Sequence, residues 1–384
     1  DRFLDLCRKY NLYVVLDLHG APGGQTGANI DDSANDQPEL FLDDRNRRIT
    51  IDLWHHLAER YADESIIAGY DLLNEPLPNW FSMYNDQVMP LYKEIIQAIR
   101  EVDKNHMIIL EGVHWASDWS IFDEVPDSNL MLQFHKYWNN PDIESIQPYL
   151  DKRREWGVPI YMGEGGENNC DWYTGAFQMF EDLDISWNFW TWKKLGTGNS
   201  PVSIPVPEGW NLITEYLEGG PRPDMAMAQA IFQDYLANLS TPHCDIRSDV
   251  FRAIFRRAPF SVPAIFYGYK GPDEDFGPGP GTGDYEKFRR GDGQSFGFLT
   301  AVRTEPNFHH DAGEPWSTDD KMYLELQAGR WVCYDFEYGE ILPGDDFEVE
   351  IRFSGVGELD FSFSEASSVR ISSESEIWAS NVLK

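Results

Sequence analysis

Six short, apolar, β-prone runs recur between helical segments along the first 240 or so residues, and this alternation restricts the fold more than any other feature of the chain. The runs are Leu12–Leu18, Ile66–Leu73, His106–Glu111, Leu130–His135, Val158–Met162 and Ile185–Trp192. Amphipathic segments lie among them at Arg2–Tyr10, Arg45–Tyr61, Gln87–Val102, Asp142–Arg154, Gly175–Leu183 and Asp224–Leu239. In the second of these, Ile49, Leu53, Leu57 and Tyr61 recur at four-residue steps and predict one buried helix face. Strands alternating with helices predict a parallel sheet with right-handed crossovers. An α/β (β/α)8 barrel of the TIM type is the closed form of that pattern, and its mouth is built at the C-terminal ends of the strands. Six strands are two short of eight. The first two strand–helix units are therefore expected to precede residue 1, in a longer protein.

The strand ends carry the chemistry. Asn74-Glu75-Pro76 follows one run and Gly163-Glu164-Gly165 follows another. An isolated Asn-Glu-Pro is more often an exposed loop than a site, and it is the strand context that singles this one out. Two glutamates facing into one barrel mouth provide what cleavage of a glycosidic bond requires: a proton donor for the leaving oxygen and a partner for the anomeric carbon. Glu75, beside an asparagine able to bond a sugar hydroxyl, suits the acid/base role. Glu164 among glycines, where substrate approaches closely, suits the nucleophile. Glu167, three residues on, is expected on the rim. His19 closes the first run before the turn Gly20-Ala21-Pro22-Gly23-Gly24, and His135 and Tyr137 close the fourth. Trp190 and Trp192 end the last run. Strand alternation puts both on one side, with one as the floor of a sugar site and core packing the bland alternative for the other. Trp80, Trp115, Trp119 and Trp138 follow strands and are candidates either for outer sugar sites or for loop packing.

Composition narrows the partner. The chain carries a net charge of −34, which opposes nucleic acid, anionic membranes and acidic polysaccharides, whereas a neutral glycan meets no such repulsion. Fourteen tryptophans lean toward a sugar ligand, whose C–H faces stack on indole. Cys7, Cys170, Cys244 and Cys333 are scattered without metal-site spacing, so neither a disulfide framework nor a zinc site is expected. No apolar run is long enough to span a bilayer.

Residues 259–293 are rich in Gly and Pro and read as turn and linker. Beyond them the apolar period drops to two, at Met322/Leu324/Leu326, Phe347/Val349/Ile351/Phe353 and Leu359/Phe361/Phe363. Short antiparallel strands with one wet face predict a small β-sandwich. The expected organisation is a barrel over residues 1–245, a connection over 246–293 and a sandwich over 294–384 that binds carbohydrate or only packs.

Taken together, Leu16-Asp17-Leu18-His19-Gly20-Ala21-Pro22-Gly23, Asn74-Glu75-Pro76, His135-x-Tyr137, Gly163-Glu164 and Phe189-Trp190-x-Trp192-Lys193 resemble glycoside hydrolase family 5, the cellulase family, over roughly residues 1 to 240. The Leu-His-Gly-Ala-Pro-Gly form is most similar to the branch containing exo-β-1,3-glucanases. The resemblance implies a retaining, two-step hydrolysis of β-glucan with Glu75 as acid/base and Glu164 as nucleophile. It implies that Asn74 bonds the sugar 2-hydroxyl, that His19, His135 and Tyr137 complete the substrate shell, and that Trp190 forms the platform. No metal or organic cofactor is implied, and the location implied is extracellular or cell-surface. An arginine on the family's second strand has no counterpart in this chain. Endo-cleavage of a β-1,4- or β-1,6-glucan or a mannan by the same residues is the alternative, as is a glycan-binding protein without catalysis.

Overall fold

The computed structural model describes residues 2–336, 348–363 and 367–383. Helix α1 (Arg2–Tyr10) leads into β1 (Val14–Asp17); α2 (Asp44–Tyr61) and β2 (Ile67–Asp71) follow a long loop. Next come α3 (Val88–Val102), β3 (Met107–Glu111), β4 (Leu130–His135), α4 (Gln147–Trp156), β5 (Ile160–Gly166), α5 (Cys170–Asp182) and β6 (Ser186–Trp190). The six strands form one sheet in the order β1-β2-β3-β4-β5-β6, and every neighbouring pair is parallel. A doubly wound sheet reverses its strand order at a switch point; this one does not, which is barrel topology.

The sheet is also strongly curved. His19, just past β1, and Trp190, at the end of β6, stack with ring centroids 5.2 Å apart. In a flat sheet, five strand spacings would hold those positions about 24 Å apart. The six strands therefore form the arc of a (β/α)8 barrel, as their spacing in the sequence predicts.

Helices pack on the outside through one apolar face each. In α3, Val88, Leu91, Tyr92, Ile95, Ile96 and Ile99 are buried at three- and four-residue steps. In α2 the buried face is Thr50, Trp54 and Ala58, one residue round from the predicted stripe, and Ile49 is exposed. Trp54 sets this rotation: its bulk fills the space over β2, and its indole N–H donates to the Leu72 carbonyl at 3.0 Å. Helix α5 starts at Cys170, five residues before the predicted start, because Asn169 caps it by accepting from the Trp172 amide at 2.9 Å. The barrel strands end sooner than expected at β6, which stops at Trp190, and later at β5, which runs on to Gly166.

Beyond the barrel strands, β7 (Lys193–Leu195), β8 (Val202–Ile204) and β9 (Asp245–Ile246) make a three-stranded sheet, with α6 (Trp210–Leu217) and α7 (Met225–Asn238) between its second and third strands. Helix α8 (Ser248–Ile254) packs on α5. The predicted antiparallel strands appear as small pairs: β10 (Phe276–Gly277) with β13 (Trp331–Val332), and β11 (Ser295–Phe298) with β12 (Met322–Glu325). Residues 1–337 form one compact unit, so the segment after 245 belongs with the barrel rather than dividing from it at 293. Arg256 explains the cohesion. Its buried guanidinium donates to the Thr174 carbonyl on α5 at 2.8 Å and to the Phe266 carbonyl at 2.6 Å. The second unit, 338–384, contains a long antiparallel pair, β14 (Val349–Phe363) with β15 (Ser367–Leu383), whose register shifts between Phe353 and Gly355. The predicted breaks at Phe353 and Leu359 thus lie inside one strand, and Phe347 lies outside the described residues.

Candidate active site

The polar side chains at the C-terminal ends of the strands meet at the mouth of the arc. Glu75 sits in the turn after β2 with φ at +46°, a left-handed conformation that a glutamate adopts only when its surroundings hold it there. The hold is visible: its N–H donates to Glu111 Oε2, 2.7 Å away at the end of β3. Glu164 lies within β5, largely buried, and its Oε2 accepts the Tyr137 hydroxyl at 2.6 Å. His135 stands between the two glutamates. Its Nδ1 is 2.8 Å from Glu75 Oε1 and 3.6 Å from Glu164 Oε2. One side-chain atom from each of Glu75, His135 and Glu164 lies within 4.8 Å of the other two.

That trio has the atoms to surround a cation, but its bonding fits proton handling better. A metal-binding histidine offers a bare lone pair, whereas Nδ1 here is already within hydrogen-bond distance of the Glu75 carboxyl, 2.8 Å away, and Nε2 faces Glu111 at 3.3 Å.

Asn74 is buried, and its Nδ2 has no hydrogen-bond partner among the described residues. An orphaned buried donor costs stability unless something else accepts from it, and a ligand hydroxyl is such an acceptor. The Asn74 backbone is secured by the buried Gln25. The Gln25 amide donates to the carbonyls of Asn74 at 2.8 Å and His19 at 3.0 Å, while its oxygen accepts from Ala21 N–H. His19 Nδ1 is 2.9 Å from Asp17 Oδ2, and the ring lies nearly parallel to Trp190, 9° apart. His19, Asn74, Glu75, His135, Tyr137, Glu164 and Trp190 are thus brought into one cluster.

The remaining aromatic candidates separate. Trp192 lies past the end of β6, where strand alternation no longer applies, and packs edge-on against Phe189 and Phe251 instead of joining Trp190. Trp119 is core, its indole donating to the Gln133 carbonyl at 3.1 Å. Trp80 is exposed and meets Trp115 edge to face, and Trp138 stacks on His309. Glu167 is half-buried and paired with Lys194.

Burial governs the electrostatics. It pushes the Glu164 carboxyl up to about 7, against the pull of His135 and the Tyr137 hydrogen bond. For His135, burial alone lowers the proton affinity, but the carboxylates of Glu111, Glu75 and Glu164 outweigh it and hold the ring well above the ordinary histidine value. The His19 ring is raised chiefly by its bond to Asp17. Burial, with Glu111 and Asp17 nearby, also raises Asp71.

Glu111, Gln133, Asp71 and Gln25 were not singled out from sequence. Only Glu111 carried the same signal as Glu75, at the end of an apolar run; Asp71 and Gln133 each interrupt one. Gln25 lies in a loop and carried none.

The family description "Cellulase (glycosyl hydrolase family 5)" matches residues 1–196, half of the chain. The chain belongs to glycosyl hydrolase family 5. Among relatives, it is 28% identical to a Beta-xylosidase of Phanerodontia chrysosporium over 244 residues, covering 54% of this chain and 50% of that one. It is 24% identical to Endoglucanase C of Acetivibrio thermocellus, covering 51% and 72%. It is 31% identical to a Glucan 1,3-beta-glucosidase of Candida oleophila, covering 41% and 39%. The chain thus spans half the length of that xylosidase. Among solved structures, the endoglucanase Cel5A of Pseudomonas stutzeri aligns at 19% identity with a TM-score of 0.39, covering 49% of this chain and 63% of the other. In this member of the family the polar cluster lies at the C-terminal ends of the strands of the arc. No helix among the described residues is long and apolar enough to cross a membrane.

Proposed function

We propose that this chain carries the catalytic machinery of a retaining β-glycoside hydrolase acting on a neutral β-glucan, in the manner of an exo-β-1,3-glucanase or β-glucosidase. The observation that carries the reading is the facing of Glu75 and Glu164, whose nearest ligand-capable oxygens lie within 4.8 Å. Carboxyl groups about 5–5.5 Å apart belong to retaining enzymes, and the water needed for inversion requires about 6.5–9.5 Å.

In this reading Glu164 attacks the anomeric carbon while the bond to the leaving oxygen breaks, and that oxygen takes the proton of Glu75. The glycosyl ester on Glu164 is then opened by water, which gives its proton back to Glu75 and releases Glu164 as carboxylate. Tyr137 keeps the attacking oxygen aimed, and His135 keeps Glu75 in reach. The unpartnered Asn74 amide supplies a donor for the sugar 2-hydroxyl, and the Trp190 face, backed by His19, supplies the floor. An extracellular or cell-surface location accords with a polymeric glucan substrate.

The 24% likeness to an endoglucanase favours endo-cleavage as a second reading. Product profiling with laminarin, cellulose and mannan separates them. Glucose alone from laminarin at early times is the expected outcome; a ladder of oligosaccharides from cellulose or mannan refutes the exo assignment. Binding of glucan with no products from any of the three refutes hydrolysis.

A further inference from the structure

Glu111 takes no part in the steps above, yet it is fully enclosed behind them. It ends β3, between the strand that leads to Glu75 and the strand that carries His135. Its Oε2 accepts the Glu75 N–H at 2.7 Å. Its Oε1 accepts the Gln133 amide and lies 3.3 Å from His135 Nε2. Space for that amide is left by Gly163, where a Cβ would fall 2.1 Å from the Gln133 side chain. The opposite ring nitrogen of His135 faces Glu75 Oε1.

A neutral imidazole has one hydrogen and one lone pair, so it cannot donate to carboxylates on both sides. The groups facing this ring are Glu75 from the turn after β2, Asp71 on β2, Glu111 on β3, Gln133 on its own strand and Glu164 on β5, with Tyr137 on Glu164 and Asp17 on β1 acting on Glu111. All the titratable groups around the ring are acidic, and burial raises Glu111, Asp71 and Glu164.

Building on the proposed function, we propose that Glu111 is a positioning residue for the acid/base. Through one oxygen it fixes the backbone of Glu75, and through the other it keeps His135, hydrogen on both nitrogens, aimed at the Glu75 carboxyl oxygen. Removing the charge while keeping the shape, as Glu111→Gln does, frees the ring to lose a proton and loosens the Glu75 turn.

The test has two arms on the full-length protein. In 13C-histidine-labelled protein, Glu111→Gln is expected to lower the His135 titration by at least about one pH unit relative to wild type. In kinetics, kcat/KM for a phenyl β-glycoside is expected to fall about 100-fold, and for a dinitrophenyl β-glycoside, which needs little protonation, less than about 5-fold. An unmoved His135 titration means a neutral ring that accepts from Gln133, and it overturns the proposal; so does an equal loss on both substrates, which marks a merely structural residue. Should Glu111→Gln fail to fold, Gln133→Met keeps the Glu111 charge and is expected to hold the His135 titration at or above its wild-type position, and a fall there overturns the proposal. If wild-type protein hydrolyses neither glycoside, the functional reading fails, while the titration still decides what Glu111 does to the ring.

Discussion

Glu164 shows how a single residue links stability to chemistry. Burial raises its carboxyl to about 7 from the ordinary glutamate value, so folding favours the protonated form. For an acid raised in this way the stability is fully present at low pH and is lost as pH rises through about 7, because the native state binds more protons than the unfolded chain. Glu164→Gln removes that liability. It is expected to be more stable than wild type at pH 8 by at most about 3 kcal/mol, and equal to it near pH 4, in urea titrations. In the proposed mechanism the same residue must be ionised to attack, so kcat/KM of the wild type is expected to fall as pH drops through about 7. Asn74 makes a second residue-scale case. Asn74→Ala is expected to lower kcat/KM by roughly 100-fold on a β-glucoside but by less than about 5-fold on its 2-deoxy analogue, which lacks the hydroxyl to be bonded. Equal losses on both would remove the assigned role.

At the scale of elements, the strand ends were the legible part. Glu75, Glu164, His19, His135 and Trp190 each follow an apolar run, and parallel strands of one barrel deliver such residues to one mouth. Periodicity placed the helices less well. Four-residue spacing cannot tell which of two adjacent stripes is inward, and in α2 the choice fell to Trp54 and its carbonyl partner across on Leu72. Helix α5 began early because a side-chain cap, not an apolar period, starts it. Gly175 in its middle looked like a starting point and is instead a close-packing site, where a Cβ would meet the Phe266 ring at 2.7 Å. Arg256 binds that same helix to the later segment. Arg256→Met leaves the Thr174 and Phe266 carbonyls without their donor, and a loss of about 2–4 kcal/mol in urea unfolding is expected, with kcat of the folded fraction unchanged. A loss under about 0.5 kcal/mol would show that the contact is incidental.

For the molecule as a whole, what sequence composition presented as turn and linker is folded in one compact unit with the barrel strands. Arg289 illustrates why the Gly/Pro-rich stretch deceived. It is buried between the rings of Tyr267 and Tyr269, its charge met by Asp292 at 2.6 Å and by three backbone carbonyls. Gly and Pro here shape turns around an anchored arginine, and local composition does not register that anchor. A protein ending at residue 245 is therefore expected to lose cooperative unfolding and aggregate, whereas one ending at residue 337 keeps a barrel core, as read by calorimetry. The net charge of −34 works at this scale too: activity on neutral laminarin should be nearly insensitive to salt, since no charged partner is being screened.

The central claim is the division of labour between the two facing glutamates, and trapping the covalent intermediate tests it most directly. Full-length protein treated with a 2-deoxy-2-fluoro-β-glucosyl fluoride, digested and mapped by mass spectrometry should carry the sugar on Glu164, with Glu75→Ala slowing release of the label and azide restoring it as the β-glycosyl azide. A label on any other residue, or turnover of the substrate with α-glucose as the first product, would contradict the account.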